Sequence, residues 1–296
     1  MSTVEGLLAG GLVAGLLLLG GSPLLMRGLK HRARYLRFSE TPVVPPATAT
    51  PGETALLVGT VHAGDESVTA PLSNQRAVLA TWEIASLRRY GILASKSVWR
   101  TEALGIDSSE FELHSDGERV AVEDWSHSDR IEGTEALSLT GTGELPVVGL
   151  DVGGLWVEIE AFDIDTRIRP GETVPQPYQG LAERVGFTPD FEAFAADPSL
   201  HSRILANLRT PKRTLRYREA SICEGQQITV LGTVRSSVTP GGPLRVVEPS
   251  DRPGLISPHD PERLLVRYRR SYWLWTYGLV AVALVTASLA GLAVAM

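Results

Sequence analysis

The sequence predicts a membrane protein in which two transmembrane helices enclose a cytoplasmic, β-rich α+β domain, built as a partly open barrel or sandwich with a helical insertion. Three observations predict it. Each end of the 296-residue chain is apolar, with basic residues on the inner side of both apolar segments. Between them, hydrophobic residues recur mainly with a period of two, as in half-buried strands. One stretch of helical spacing interrupts that pattern.

Residues 6–26 are almost wholly apolar or small and are followed by Arg27, Lys30, Arg32, Arg34 and Arg37. Residues 272–296 are uncharged and are preceded by Arg263, Arg267, Arg269 and Arg270. A bilayer core about 30 Å thick needs roughly 20 apolar residues in a helix, and both segments reach that length. Positive charge stays on the cytoplasmic side. The two basic collars therefore predict an integral membrane protein of two spans with both termini outside and the central domain in the cytoplasm. A cleaved signal peptide needs a positive n-region, and this chain has Glu5 there instead. Tyr272, Trp273, Trp275 and Tyr277 read as an interfacial aromatic belt. Gly6 and Gly10, Gly11 and Gly15, and Ala283, Ala287 and Gly291 place small residues at i, i+4 spacing. Such stripes let helices approach closely in lipid and suggest a homo-oligomer, although small residues are common in any membrane helix.

The expected organisation is a first span over residues 1–26, then a basic collar and Pro-rich linker over 27–50. A domain over 51–262, a second collar over 263–272 and a second span over 273–296 follow. Pro42, Pro45, Pro46 and Pro51 make the linker an extended spacer. Val78, Ala80, Trp82 and Ile84 predict a half-buried strand. Asp116-Gly117 is a hairpin turn signal; a two-residue loop there pairs Leu113 with Val120 and Phe111 with Val122. The Gly-rich stretch 133–154 predicts a loop. In residues 155–167 the apolar phase shifts after Ala161, which predicts a bulge or strand end there. Residues 188–208 predict a helix broken at Pro198. Gly52-Glu-Thr-Ala-Leu-Leu-Val-Gly59-Thr60-Val61 echoes Gly225-Gln-Gln-Ile-Thr-Val-Leu-Gly232-Thr233-Val234. The echo predicts two similar strands in one sheet or barrel, each kinked or closely approached at its second glycine.

The chain has 28 Lys+Arg and 34 Asp+Glu; its two ends hold nine and three of these, which leaves residues 41–261 a net charge of about −12. An acidic body of this kind excludes nucleic acid as a partner, because phosphate binding rests on Lys and Arg. Membrane lipids and a protein partner remain as expected partners. A single cysteine, Cys223, makes no intramolecular disulfide and no Cys-rich zinc site, and its place between two strands points to packing or a loop. Glu158, Glu160, Asp163 and Asp165 read as a solvated acidic face rather than a cation site, since calcium ligands are gathered by a turn. His31, His62, His114, His127, His201 and His259 are scattered; His127, between Asp124 and Asp129, fits a polar surface loop. No nucleophile elbow, phosphate loop or metalloprotease motif occurs. No catalytic, cofactor-binding or metal-binding residue is therefore expected, and no cofactor.

Four groups of residues carry a family resemblance. They are Leu57-Val-Gly59-Thr-Val61 with Ala70-Pro71-Leu72-Ser73; Phe111-Glu-Leu113 through Asp116-Gly117 to Val122; Tyr217-Arg-Glu219 through Gly225 to Gly232; and Leu255-Ile256-Ser257. With two spans around a β-rich domain, the chain resembles the GIDE domain family. That domain, also called the beside-a-membrane (BAM) domain, is known from the mitochondrial outer-membrane E3 ubiquitin ligases. In those ligases a RING follows the second helix. A RING needs about eight Cys and His ligands around its zinc ions, and one cysteine does not supply them. The resemblance thus implies a membrane-anchored binding or scaffold module, or a ligase-related protein acting in ubiquitin-like transfer with a partner in trans. Whether it is an enzyme stays open.

Overall fold

The computed structural model describes residues 22–90, 96–130, 148–152, 155–187, 214–238, 242–250 and 254–278, with scattered positions up to Ser288. The chain divides into two compact units, Val43–His259 and a helical unit of Met1–Pro42 with Asp260–Met296.

In the first unit, β1 (Thr54–Ala63) pairs antiparallel with both β6 (Phe111–Ser115) and β13 (Gln227–Arg235). β6 forms a hairpin with β7 (Glu118–Val122), and β7 runs parallel to β14 (Leu244–Val247), which pairs back onto β13. The five strands close on themselves, so this part of the sheet has no free edge. It is a Greek-key barrel of the kind used by OB-folds. The expected hairpin register is the one observed: Leu113 faces Val120 and Phe111 faces Val122. Asp116 and Gly117 both have positive φ, 53° and 83°, as a type I′ turn requires. The expected relation between the two echoed segments also holds, because they are the paired strands β1 and β13.

The echoed glycines are closely approached, as expected. A Cβ at Gly59 would lie 2.9 Å from the carbonyl oxygen of His114. One at Gly232 would lie 2.3 Å from Val246 Cγ1 and 2.9 Å from the oxygen of Val247. Backbone cannot yield as a side chain can. Gly232→Ala is expected to cost about 2 kcal/mol through overpacking, measured as a lower urea midpoint at unchanged slope.

The loops of this barrel hold a second sheet. β4 (Leu79–Tyr90) and β5 (Lys96–Ser108) are inserted between β1 and β6. β8 (His127–Arg130), β11 (Ile164–Ile168) and β12 (Leu215–Ile222) are inserted between β7 and β13. Together they form a sheet in the order β11-β12-β4-β5-β8. β9 (Val148–Val152), β10 (Leu155–Ile159) and β15 (Leu255–Ser257) extend the barrel sheet from β13, and β2 (Val68–Thr69) pairs with β3 (Arg76–Ala77). One core contains Leu57, Phe111, Val230 and Val246 of the barrel with Leu79, Ile106 and Ile222 of the second sheet. A second core, with Trp82, Ile84 and Tyr217, lies on the other face of that sheet with residues of α2 (Gln176–Arg184). β4 therefore departs from its half-buried expectation: residues 77–86 are buried on both faces.

Other expectations change as well. Residues 148–152 of the Gly-rich stretch form β9. The phase shift at Ala161 is a strand end, since β10 and β11 belong to different sheets. The linker is more than a spacer: Pro46–Thr48 is a short 3-10 turn with Pro46 buried, and Val43 bridges to Leu56. The expected helix over 188–208 lies outside the described residues.

The two transmembrane helices are not borne out. Among the described residues, no helix is long and apolar enough to cross a membrane. In α1 (Ser22–Glu40) the residues Arg27, Lys30, Arg32, Arg34 and Arg37 are part of the helix rather than a collar beyond it. In α3 (Pro261–Trp273) the same is true of Arg263, Arg267, Arg269 and Arg270. Charge distributed along a helix opposes burial in hydrocarbon. The expectations of a membrane protein, of an integral two-span placement and of a cytoplasmic central domain rested on those helices and are not supported among the described residues. Within the helical unit, Phe38 packs on Tyr268 with ring centroids 5.0 Å apart, and Asp260 caps α3 by accepting from the Arg263 amide at 2.7 Å. A π-helical turn, Leu274–Gly278, follows α3. Beside it the expected belt residues Tyr272, Trp273 and Tyr277 pack on one another, with the two tyrosine hydroxyls 3.0 Å apart.

Candidate functional site

An open cleft of about 490 Å³ lies where the chain passes twice between the two sheets of Val43–His259. One passage leaves β10 at Ile159 and enters β11 at Ile164; the other leaves β12 at Ile222 and enters β13 at Gln227. Apolar walls come from Leu79, Val157, Ala220 and Ile222, and polar groups from Gln226, Gln227 and three acids, Glu158, Glu160 and Asp163.

The acids differ in setting. Glu158 is 1% exposed and its carboxylate accepts a hydrogen bond from Ser257 Oγ at 2.8 Å. Ser257 Oγ also accepts from the His259 amide at 3.1 Å, and Thr229 donates to the His259 carbonyl at 2.7 Å. Asp163 accepts from the Ser221 amide at 2.7 Å, which ties the crossover after β10 to β12. Glu160 is exposed at the rim. Asp165 turns away to a bidentate pair with Arg216, and that guanidinium holds its carboxyl below the usual carboxylate range. The expected solvated acidic face holds for Glu160, Asp163 and Asp165, which are exposed, and is corrected at Glu158, which is buried. The four acids do not share one face, because the chain changes sheets among them.

Cys223 lies beside the cleft, in the turn between β12 and β13. Burial first, and the charge of Asp163 second, push its thiol up. An activated nucleophile needs the opposite shift. Its sulfur instead accepts from Gln75 Nε2 at 3.2 Å, in keeping with the loop role expected of it.

The structure brings together residues that looked scattered. His62 and His114 stack with ring centroids 3.9 Å apart on β1 and β6. Glu112 bonds His114 at 2.8 Å, and that bond, followed by the Arg119 charge against an opposing cost of burial, lowers the Glu112 pKa. Among the described residues, no group of three or more His, Cys, Asp or Glu is placed to hold a metal ion. Gly6, Gly10, Gly11 and Gly15, with Ala283, Ala287 and Gly291, lie outside the described residues, as does the side chain of His127.

Two motif groups meet at a buried carboxylate. Glu219, 0% exposed, accepts from the amides of Leu72 at 2.6 Å and Ser73 at 2.9 Å. The turn Ala70-Pro71-Leu72-Ser73 is therefore fastened to β12 by the acid of Tyr217-Arg-Glu219. Tyr217 itself is fully buried, and burial pushes its hydroxyl pKa up. These residues build the domain.

Residues 191–292 match the family GIDE, described as E3 Ubiquitin ligase. The GIDE match bears out the resemblance read from the sequence and points to a protein related to E3 ubiquitin ligases. It covers β12 to β15, and with them Tyr217, Glu219, Gly232 and Ser257. The motif groups around Gly59, Leu72 and Asp116 precede it. The GIDE match is not a separable fold here. β13 pairs with β1, β14 with β7, and β12 lies between β4 and β11, so each draws a neighbour from outside the matched residues. No curated protein and no solved structure matches the chain.

Proposed function

We propose that this chain is a binding module, a scaffold whose Val43–His259 domain presents the cleft between its two sheets to a protein partner. The cleft itself carries the reading. It is concave, has apolar walls, and gathers a few polar side chains, the combination that marks recognition sites. Around it, the motif residues are engaged in building the fold rather than in chemistry.

The GIDE match favours a second reading, a component of ubiquitin-like transfer that acts with a RING or conjugating enzyme in trans. One cysteine in these 296 residues does not furnish a RING's thiolates.

One experiment tests both. A photoreactive amino acid is placed at Gln227, an exposed cleft residue, in the full chain in its native cells. A discrete crosslinked protein is expected, with its yield reduced when Glu160→Trp narrows the cleft. Equal crosslinking from Gln227 and from Glu118, on the remote hairpin, overturns the cleft as the site. A conjugating enzyme as the crosslinked species favours the second reading.

A further inference from the structure

The cleft has a chemistry of its own, which deepens the binding reading and rests on it. Its polar lining is one-sided: Glu158, Glu160 and Asp163 supply carboxylates, Gln226 and Gln227 carboxamides, Thr81 and Ser221 are hydroxyl-bearing residues, and among the described residues neither Lys, Arg nor His lines it. An anion brought there would meet like charge on apolar ground, where screening is weak. A cation would find the exposed carboxylates of Glu160 and Asp163 at the rim. Glu158, buried and bonded to Ser257, adds its charge from behind without being open to a ligand. The rest of the lining is largely apolar (Leu79, Val157, Ala220 and Ile222) and suits the methylene stem of a long basic side chain whose head stays polar. The volume, about 490 Å³, exceeds one side chain and accommodates its neighbours in a peptide. The field has the required sign, since Asp163 already helps raise the Cys223 thiol. The net charge of about −12 over residues 41–261 extends this attraction beyond the cleft.

We infer that the cleft recognises an arginine or lysine side chain presented between apolar residues on a partner protein.

Fluorescence anisotropy with the full chain tests this, using a dye-labelled acetyl-Leu-Arg-Leu peptide and its Lys, citrulline and Glu counterparts. Saturable binding of the Arg and Lys peptides is expected, with citrulline at least about tenfold weaker and Glu not bound. Glu160→Gln combined with Asp163→Asn is expected to weaken the Arg peptide by about tenfold and to flatten its salt dependence. Retained circular dichroism and urea midpoint would show that the variant folds. Equal binding of Arg and citrulline peptides overturns the charge recognition while leaving the cleft as a binding site. Arg-peptide binding that survives Gln227→Trp overturns the cleft as its location. Absence of saturable binding by both cationic peptides overturns the inference outright.

Discussion

Glu83→Gln is expected to destabilise the domain by about 3–5 kcal/mol, the scale measured when one partner of a buried ion pair is removed. Glu83 is 2% exposed on β4 and pairs with Arg218, 5% exposed, on the neighbouring strand β12. Thr101 of β5 donates to the other Glu83 oxygen at 2.5 Å, and the Arg218 guanidinium lies 4.5 Å from the centroid of the Phe162 ring. Three strands are therefore tied through one carboxylate, on the face of the second sheet that further along packs against the barrel. Removing its charge takes the Glu83 carboxylate from a buried guanidinium, which costs more than the pair contributes. The double variant Glu83→Met with Arg218→Leu separates these terms. It is expected to recover most of the loss, because two apolar side chains of similar volume satisfy the site without desolvating charge. Urea denaturation of the single and double variants reads the coupling. Additive losses would show that the pair is not coupled and that Glu83 acts through Thr101 alone.

The hairpin 111–122 was legible because its cause is local: a turn that needs two positive φ angles and an apolar register around it agree. The pairing of β1 with β13 was legible across a long separation because both strands need a glycine where another segment of the same chain lies close. The sheet change after Ala161 showed as a shift of phase. Glu158 was illegible, because alternation says which residues share a face and not whether that face is covered. β4 failed for the same reason, having a core on each side. The spans were read from apolar length alone, and most of those residues lie outside the described ones; among the described residues no helix is long and apolar enough to cross a membrane. α1 and α3 carry the basic residues as helical residues. The cleft was out of reach altogether, since its walls come from four strands and two crossovers that pattern alone does not bring together.

The second large effect falls on Glu219. Glu219→Ala is expected to cost about 3–5 kcal/mol, from two charge-assisted bonds to amides worth roughly 1.5–3 kcal/mol each. Both amides, of Leu72 and Ser73, lie in a turn that otherwise closes on itself through Ala70 and Gln75, with Asn74 at a φ of 59°. The left-handed residue and the two amides aimed at one carboxylate mean that the turn and the acid hold each other in place. Glu219→Gln keeps one acceptor oxygen and is expected to lose about half as much. Global stability alone does not distinguish this role from a generic buried acid, so the deciding measurement is local. Hydrogen exchange at the Leu72 and Ser73 amides should accelerate in Glu219→Gln well beyond that of the barrel amides. If those two amides exchange no faster than in the parent, the clamp is not what holds the turn. The result also bears on the family. Glu219 lies within residues 191–292 and the turn lies outside them, so accelerated exchange would show that the matched segment organises chain well before its own first residue.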